Sequence, residues 1–161
     1  MMSDVPHFLL GLWANTALMA AICAIVFTQI LKVPIHYLMT RAWDIHKLLD
    51  AGGMPSSHAA CVVALASALW FVVGPSSPVF ATAVVFAAIV LYDAGGIRRH
   101  AGEHAVLLNR IAMEFSQRGE SAATAQEEGE RLKEILGHEP SEIIVGAFLG
   151  LAIGIAFGKW W

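Results

Sequence analysis

The stretch "HAACVVALASALWFVVGPSSPVFATAVVFAAIVLY" (58–92) contains no charged residue and decides the fold of this chain. It is longer than the roughly 20 apolar residues that cross the hydrocarbon core of a bilayer. The segment "VGPSSP" (73–78) interrupts it with glycine and proline, the residues that most strongly mark turns. The stretch therefore predicts a hairpin of two membrane-spanning helices, at 58–73 and 78–93.

Two further apolar runs predict one span on each side of this hairpin. Residues 8–31 carry no charge and no basic residue precedes them, so they indicate a retained helix and not a signal peptide. Residues 141–161 close on Lys-Trp-Trp, which suits an anchor at the membrane interface. We predict an all-α integral membrane helical bundle of about four spans, in one domain over 1–161.

Composition agrees with a membrane protein. Charged residues make up 14% of the chain, against about 25% in soluble domains. Cys23 and Cys61 both lie inside apolar runs, so we interpret them as small core residues and not as a disulfide or a metal site. The sequence contains no nucleotide-binding loop and no basic patch of the nucleic-acid type, so we expect no nucleic-acid partner.

The two polar segments, 32–57 and 94–140, fall on the same side of a four-span protein. They hold every Lys and Arg except Lys159, and basic loops stay in the cytoplasm. We therefore expect both segments to be cytoplasmic, both termini to lie outside, and the protein to reside in a bacterial inner membrane. Within the first segment, "RAWDIHKLLD" (41–50) indicates a short interfacial helix.

The second polar segment predicts a cytoplasmic helical insertion with helices at about 100–117 and 125–136. Thr124 and Glu127 form a T-x-x-E capping box at the start of the second helix. Its first helix opens near "HAGEH" (100–104), which spells the H-x-x-E-H pattern of some zinc proteases. A third ligand is missing and Gly102 weakens the helix, so we expect an ordinary polar face and no metal.

Two polar stretches, "GGMPSSH" (52–58) and "GHEPSE" (137–142), each precede a predicted membrane helix on the same face. A helix start presents unpaired N–H groups and partial positive charge, which together attract an anion. Proline suits the first helical turn, where its missing N–H costs nothing. The two prolines at these positions are Pro55 and Pro140. The candidate phosphate-binding groups are the backbone at Gly52 and Gly53, the hydroxyls of Ser56 and Ser57, and the imidazole of His58.

Glu142 occupies the third helical position predicted for the second stretch, from which a glutamate can reach back over the helix start. It could accept a hydrogen bond from one ring nitrogen of His138 and leave the other free to attack phosphorus. The alternative is that Glu142 only caps the helix and that both histidines line a wet rim.

These stretches, together with "YDAGGIRR" (92–99), resemble the divergent type 2 phosphatidic acid phosphatase family, which is related to acid phosphatases and vanadium haloperoxidases. Residues 55–58 match the superfamily's Pro-Ser-Gly-His signature, with Ser57 in place of glycine. His138 and Glu142 match the end of its Ser-Arg-x5-His-x3-Asp signature, with Glu142 in place of aspartate. The resemblance implies that His138 is a nucleophile forming phosphohistidine, that Glu142 orients it, that His58 protonates the leaving oxygen, and that no cofactor is needed.

The basic residues depart from the family pattern. No Lys-x6-Arg-Pro occurs, and Leu132 stands six residues before His138, where the family has arginine. The candidate phosphate clamps are Lys32, Arg41, Lys47, Arg98 and Arg99, with Arg131 as a further alternative. Asp93 is interpreted as a partner for Arg98 or Arg99.

Gly146, Gly150, Gly154 and Gly158 repeat every four residues and form one stripe along the last predicted helix. Such a stripe lets two helices pack closely in lipid. It indicates either packing within the monomer or a homodimer seam, and we slightly favour the dimer.

The sequence favours a membrane phosphatase that acts on an isoprenoid or glycerolipid phosphate or diphosphate. One alternative is a non-catalytic membrane protein that binds a phosphorylated lipid or partner at the same site. The second is a vanadate-dependent haloperoxidase, which the incomplete clamp disfavours.

Overall fold

A computed structural model describes residues 10–50, 52–96, 104–111, 113–114 and 139–161. In these ranges the long helices are α1 (Thr16–Thr40), α2 (Ser57–Val73), α3 (Pro78–Gly95) and α4 (Pro140–Trp160), and the 3-10 helix Ile45–Leu48 lies between α1 and α2. Residues 104–111 are also helical, and the described ranges contain no strand. The all-α class is confirmed.

Three of the four long helices are long and apolar enough to cross a membrane: α1, α3 and α4. The apolar helix α2 has 17 residues, which at 1.5 Å per residue makes it about 26 Å long. It packs against each of the other three helices, most extensively against α4. Because α2 lies at the centre, the molecule is a membrane helical bundle built around its shortest helix.

Helix α1 ends at Thr40, beyond the predicted boundary at residue 31. That boundary was set by the charge of Lys32, but the Lys32 side chain is buried within the protein. The helix therefore continues past it and through Pro34. At the other end it begins at Thr16, where the side chain of Asn15 accepts a hydrogen bond from the Leu18 N–H at 3.0 Å.

Small side chains form the core of the bundle. The buried cluster consists of alanines from α1 and α2: Ala17, Ala20, Ala24, Ala60, Ala64 and Ala68. Side chains of this size let helix backbones approach closely, which stabilises helix pairs in lipid.

The glycine stripe of α4 faces α2 of the same chain. A Cβ atom added at Gly146 or Gly150 would collide with the backbone of Ser56 or Ala60, and one added at Gly154 would meet Ala64 and Ser67. The stripe is therefore used for packing within the monomer, and the dimer seam favoured from the sequence is corrected.

The segment predicted as an interfacial helix holds one 3-10 turn, Ile45–Leu48, flanked by extended and turn residues. The Asp44 side chain caps this turn by accepting from the His46 N–H at 3.0 Å. For the predicted insertion, residues 104–111 are helical within the first predicted helix. The second, at 125–136, lies outside the described residues.

Candidate phosphate site

The loop before α2 is closely packed. Gly53 has φ +87°, a left-handed conformation that favours glycine. Helix α2 begins at Ser57, and the buried Ser56 caps it by accepting from the Ala59 N–H at 3.3 Å. Pro55 thus precedes the cap, which corrects its predicted place in the first helical turn, and the Ser56 oxygen is engaged by the helix.

The start of α4 has the predicted form. Pro140 is the first helical residue and Glu142 the third. The Glu142 carboxylate accepts a hydrogen bond from the Glu139 N–H at 3.2 Å, which confirms the capping geometry. A carboxylate that folds back in this way is held over the helix start, close to the N-cap residue Glu139.

A backbone hydrogen bond joins the two helix starts. The Ser56 N–H donates to the Glu142 carbonyl oxygen at 3.0 Å. Four residues further along α4, Gly146 packs on the Ser56 backbone, so no side chain separates the two elements. Residues 52–58 and 139–142, the described parts of the two stretches, therefore meet at the same end of the bundle.

A cavity of about 210 Å³ opens where these elements meet the end of α1. Its charged and imidazole side chains are Lys32, His36, Lys47, Glu139 and Glu142. The remaining lining residues are Ile35, Met39, Gly52, Gly53, Met54 and Ser141. Two ammonium groups therefore share the cavity with two carboxylates and the amino terminus of a helix.

Asp50 holds both lysines of this cavity. The buried Lys32 donates from Nζ to the Asp50 carbonyl oxygen at 2.7 Å, and Lys47 Nζ bonds the Asp50 carboxylate at 2.8 Å. Gln29 adds a bond from Nε2 to the Leu48 carbonyl oxygen at 3.0 Å. The 44–50 segment is thereby fastened along α1, which brings Lys47 to the same cavity as Lys32.

The Lys47–Asp50 pair shifts the proton affinity of both partners. Its hydrogen bond lowers the pKa of the Asp50 carboxyl below its ordinary value and raises the pKa of the Lys47 ammonium above its ordinary value. Because the carboxyl pKa is lowered, the pair stabilises the fold in full at pH values above about 4, the ordinary carboxyl pKa. This contribution disappears as the pH falls through the lowered pKa. The raised lysine pKa gives a contribution that is complete below about pH 10 and is lost as the pH rises through the raised pKa. The pair therefore contributes in full from about pH 4 to 10.

Asp50→Asn is expected to remove this contribution while retaining the carbonyl oxygen that Lys32 uses. The pair is partly exposed, so the loss should be below about 1 kcal/mol. Thermal unfolding of the purified protein should show a small, constant difference from wild type between pH 5 and 9. The difference should shrink as the pH falls below the ordinary carboxyl pKa of about 4 and vanish below the lowered pKa of Asp50, where this carboxyl is protonated; a difference that persists there would contradict the ion pair as its source.

Several predicted site residues lie together and others do not. Gly53, Lys32, Lys47 and Glu142 line the cavity. Ser56 is buried and outside the cavity lining, and the buried Ser57 lines a second cleft together with His58. Arg41 ends α1 with φ 59° and is exposed outside the cavity lining. His138, Arg98, Arg99 and Arg131 lie outside the described residues.

His58 is exposed and lines a different cleft from the one that holds Glu142. This cleft, of about 250 Å³, lies between α1 and α3, and its lining includes Ile25, Cys61, Phe86 and Val90. The sequence-based hypothesis that His58 and His138 share one phosphate involves residue 138, which lies outside the described residues. Within the described residues, His58 lies on the α1–α3 side of α2.

Sequence reasoning missed His36, Ser141 and Asp50. His36 lies one helical turn after Lys32, and the i, i+4 spacing puts both on one face of α1. The sequence analysis did not reveal this spacing, because the predicted span ends at residue 31 and so excludes both residues from the helix. Asp50 gave no local signal, since its carbonyl oxygen contacts a side chain 18 residues earlier in the chain.

Comparison with known proteins agrees with this architecture. The family model described as "Divergent PAP2 family" matches residues 13–153. The chain is also similar to the protein named "Uncharacterized membrane protein YuiD" of Bacillus subtilis (strain 168), with 38% identity over 147 residues, covering 88% of this chain and 93% of that protein. No solved structure matches.

Proposed function

The chain belongs to the divergent PAP2 family, and from this premise we propose that it is a membrane phosphatase acting on a lipid phosphomonoester or diphosphate. The observation that carries the proposal is the cavity in which Lys32 and Lys47 face the start of α4. Ammonium groups and a helix amino terminus are the groups that hold phosphate oxygens. The charged segments would face the cytoplasm of a bacterial inner membrane, by the distribution of Lys and Arg.

His138 is the proposed nucleophile. It directly precedes Glu139, which lines the cavity and is the N-cap residue of α4. A ring nitrogen of His138 would attack phosphorus, and the bond between phosphorus and the lipid oxygen would break as that oxygen takes up a proton. Water would then cleave the phosphorus–nitrogen bond, which releases inorganic phosphate and restores the imidazole.

Glu142 would serve this reaction as the group that orients the nucleophile. Its carboxylate caps α4 by accepting from the Glu139 N–H, which holds it over the helix start, and Glu139 is the residue that follows His138 in the chain. A hydrogen bond from His138 to Glu142 would fix the imidazole and stabilise the positive charge that develops during attack.

A binding function without turnover is the second candidate, and the position of His58 favours it. The proposed acid lines the α1–α3 cleft, whereas the phosphate cavity contains a different imidazole, His36. If neither imidazole protonates the leaving oxygen, general acid catalysis is lost, which costs about 10²–10⁴-fold in rate. Such a protein would hold a phosphorylated lipid at the same cavity.

Purified protein tested against a panel of lipid phosphates distinguishes the two functions. An enzyme should release inorganic phosphate from at least one lipid and should carry an acid-labile phosphohistidine during turnover. Vanadate should compete with the substrate, because it mimics five-coordinate phosphorus. Saturable binding of a lipid phosphate with no phosphate release from any member of the panel would favour the binding function.

Lys47→Gln is expected to weaken vanadate binding by about tenfold, the cost of losing one charge-assisted hydrogen bond. Arg41→Gln is the matched control, since it removes a positive charge from the same face outside the cavity lining. Isothermal titration at fixed salt measures both. Equal losses in the two variants would show that the anion senses only the general positive charge of this face.

A further inference from the structure

Large apolar side chains are exposed at the end of α1 and on the segment that follows it. This region, the 38–49 patch, joins the end of α1 to the loop before α2. Its exposed apolar residues, with their exposed fractions, are Leu38 68%, Met39 73%, Trp43 69%, Ile45 71% and Leu49 92%. Single exposed apolar residues are ordinary, but a contiguous patch marks a surface that binds another apolar phase.

The backbone holds this patch in a defined position. Arg41 turns the chain in a left-handed conformation, and the segment then returns along α1 until the Leu48 and Asp50 carbonyl oxygens accept bonds from Gln29 and Lys32. The end of α1 extends about 12 Å beyond Lys32, at 1.5 Å per residue. The patch thus covers the part of α1 that projects past its contacts with this loop.

We propose that the 38–49 patch lies in the headgroup layer of the bilayer and inserts Trp43, Ile45 and Leu49 into it. The patch continues directly from α1, a helix that is long and apolar enough to cross the membrane. Trp43 stacks on Tyr37 with ring centroids 4.6 Å apart, and such aromatic side chains favour the membrane interface. Arg41, exposed between the two halves of the patch, suits the anionic headgroups.

Insertion of the patch fixes the depth of the phosphate cavity. Met39 belongs to both the patch and the cavity lining, and Lys47 lies in the same 3-10 turn as Ile45. The cavity would therefore open at the depth of lipid headgroups and not into bulk water. This inference concerns a membrane contact and does not depend on phosphatase activity.

Depth measurements on the full-length protein in liposomes test the insertion. Cys23→Ala and Cys61→Ala first remove the native thiols. A single cysteine is then introduced by Leu49→Cys and carries an environment-sensitive fluorophore. His46→Cys is the matched control, because His46 is an exposed polar position in the same turn.

The fluorophore at position 49 should be quenched by lipids that carry a nitroxide near the headgroup. In a separate sample without fluorophore, the thiol of the Leu49→Cys variant should react with a membrane-impermeant maleimide at least about fivefold more slowly than that of the His46→Cys variant, because the inserted face is shielded from water. Ile45→Cys provides a second reporter if the Leu49→Cys protein is not monodisperse. Equal labelling rates at the reporter and at position 46, without lipid quenching, would overturn the proposal and leave the patch to a soluble partner.

Discussion

Phosphate release by the His138→Ala protein is expected to fall by about 10³-fold or more, to the level of the uncatalysed reaction under the assay conditions. Removing a covalent nucleophile abolishes the two-step path, and the remaining positive groups can stabilise the transition state but cannot attack phosphorus. Because the nucleophile acts with its orienting partner as a unit, Glu142→Gln should also lower the rate, but by less. Neither variant should lose vanadate binding completely, since Lys32 and Lys47 remain.

His104→Ala is the matched control for this experiment. It removes another imidazole of the charged segments, from an exposed helical position that does not line the phosphate cavity. Its rate should stay within about twofold of wild type, as for surface substitutions far from a site. If the His138→Ala protein releases phosphate as fast as wild type, the phosphohistidine mechanism is wrong, whatever the identity of the lipid.

The helices could be predicted from the sequence because their signals are local. Apolar runs of sufficient length, turn residues at 73–78 and the Glu142 cap all act within one or two helical turns, and the structure confirms each of them. The glycine stripe was also found correctly as a packing surface. Its partner was not, because four-residue spacing describes one face of α4 and contains no information on which helix covers it.

The phosphate cavity could be predicted only in part, because it depends on contacts between distant residues. Lys32 appeared as the polar end of a span, yet it bonds a carbonyl oxygen of a loop that returns to it. That contact holds the loop beside α1, and Lys47 then lines the same cavity as His36. No local pattern contains the return path of this loop.

The direction of His58 depended on the rotation of α2 relative to its neighbours. The motif Pro55–His58 fixes the order of these residues along the chain but not the side of the helix on which each one lies. Helix α2 is covered by α4 on the side of the glycine stripe, and His58 lies toward α1 and α3. A motif can therefore match a family in sequence while its imidazole lines a different cleft.

Gly150→Ala is expected to destabilise the protein by about 2 kcal/mol or more, although alanine is the better helix former by about 1 kcal/mol. The added methyl group would overlap the backbone of Ala60, and backbone atoms of α2 can move only if the two helices separate. The alanine core of α1 and α2 would lose contacts at the same time, because α2 packs against α1 as well as α4. Thermal unfolding in detergent should show a midpoint lower by roughly 5 °C.

Gly158→Ala separates this close contact from the general effect of adding a methyl group to α4. At Gly158 the new atom would lie 2.8 Å from Cδ2 and 2.9 Å from Cβ of Phe71, near the end of α2. The Phe71 ring can rotate away, and only its Cβ must shift, whereas at Gly150 the overlap is with backbone atoms. Its unfolding midpoint should therefore change by less than half as much as that of Gly150→Ala.

Light scattering should give both variants the oligomeric state of the wild type, because the stripe contacts α2 of its own chain. A dimer that dissociates in the Gly150→Ala protein, with an unchanged unfolding midpoint, would instead place the stripe between two copies.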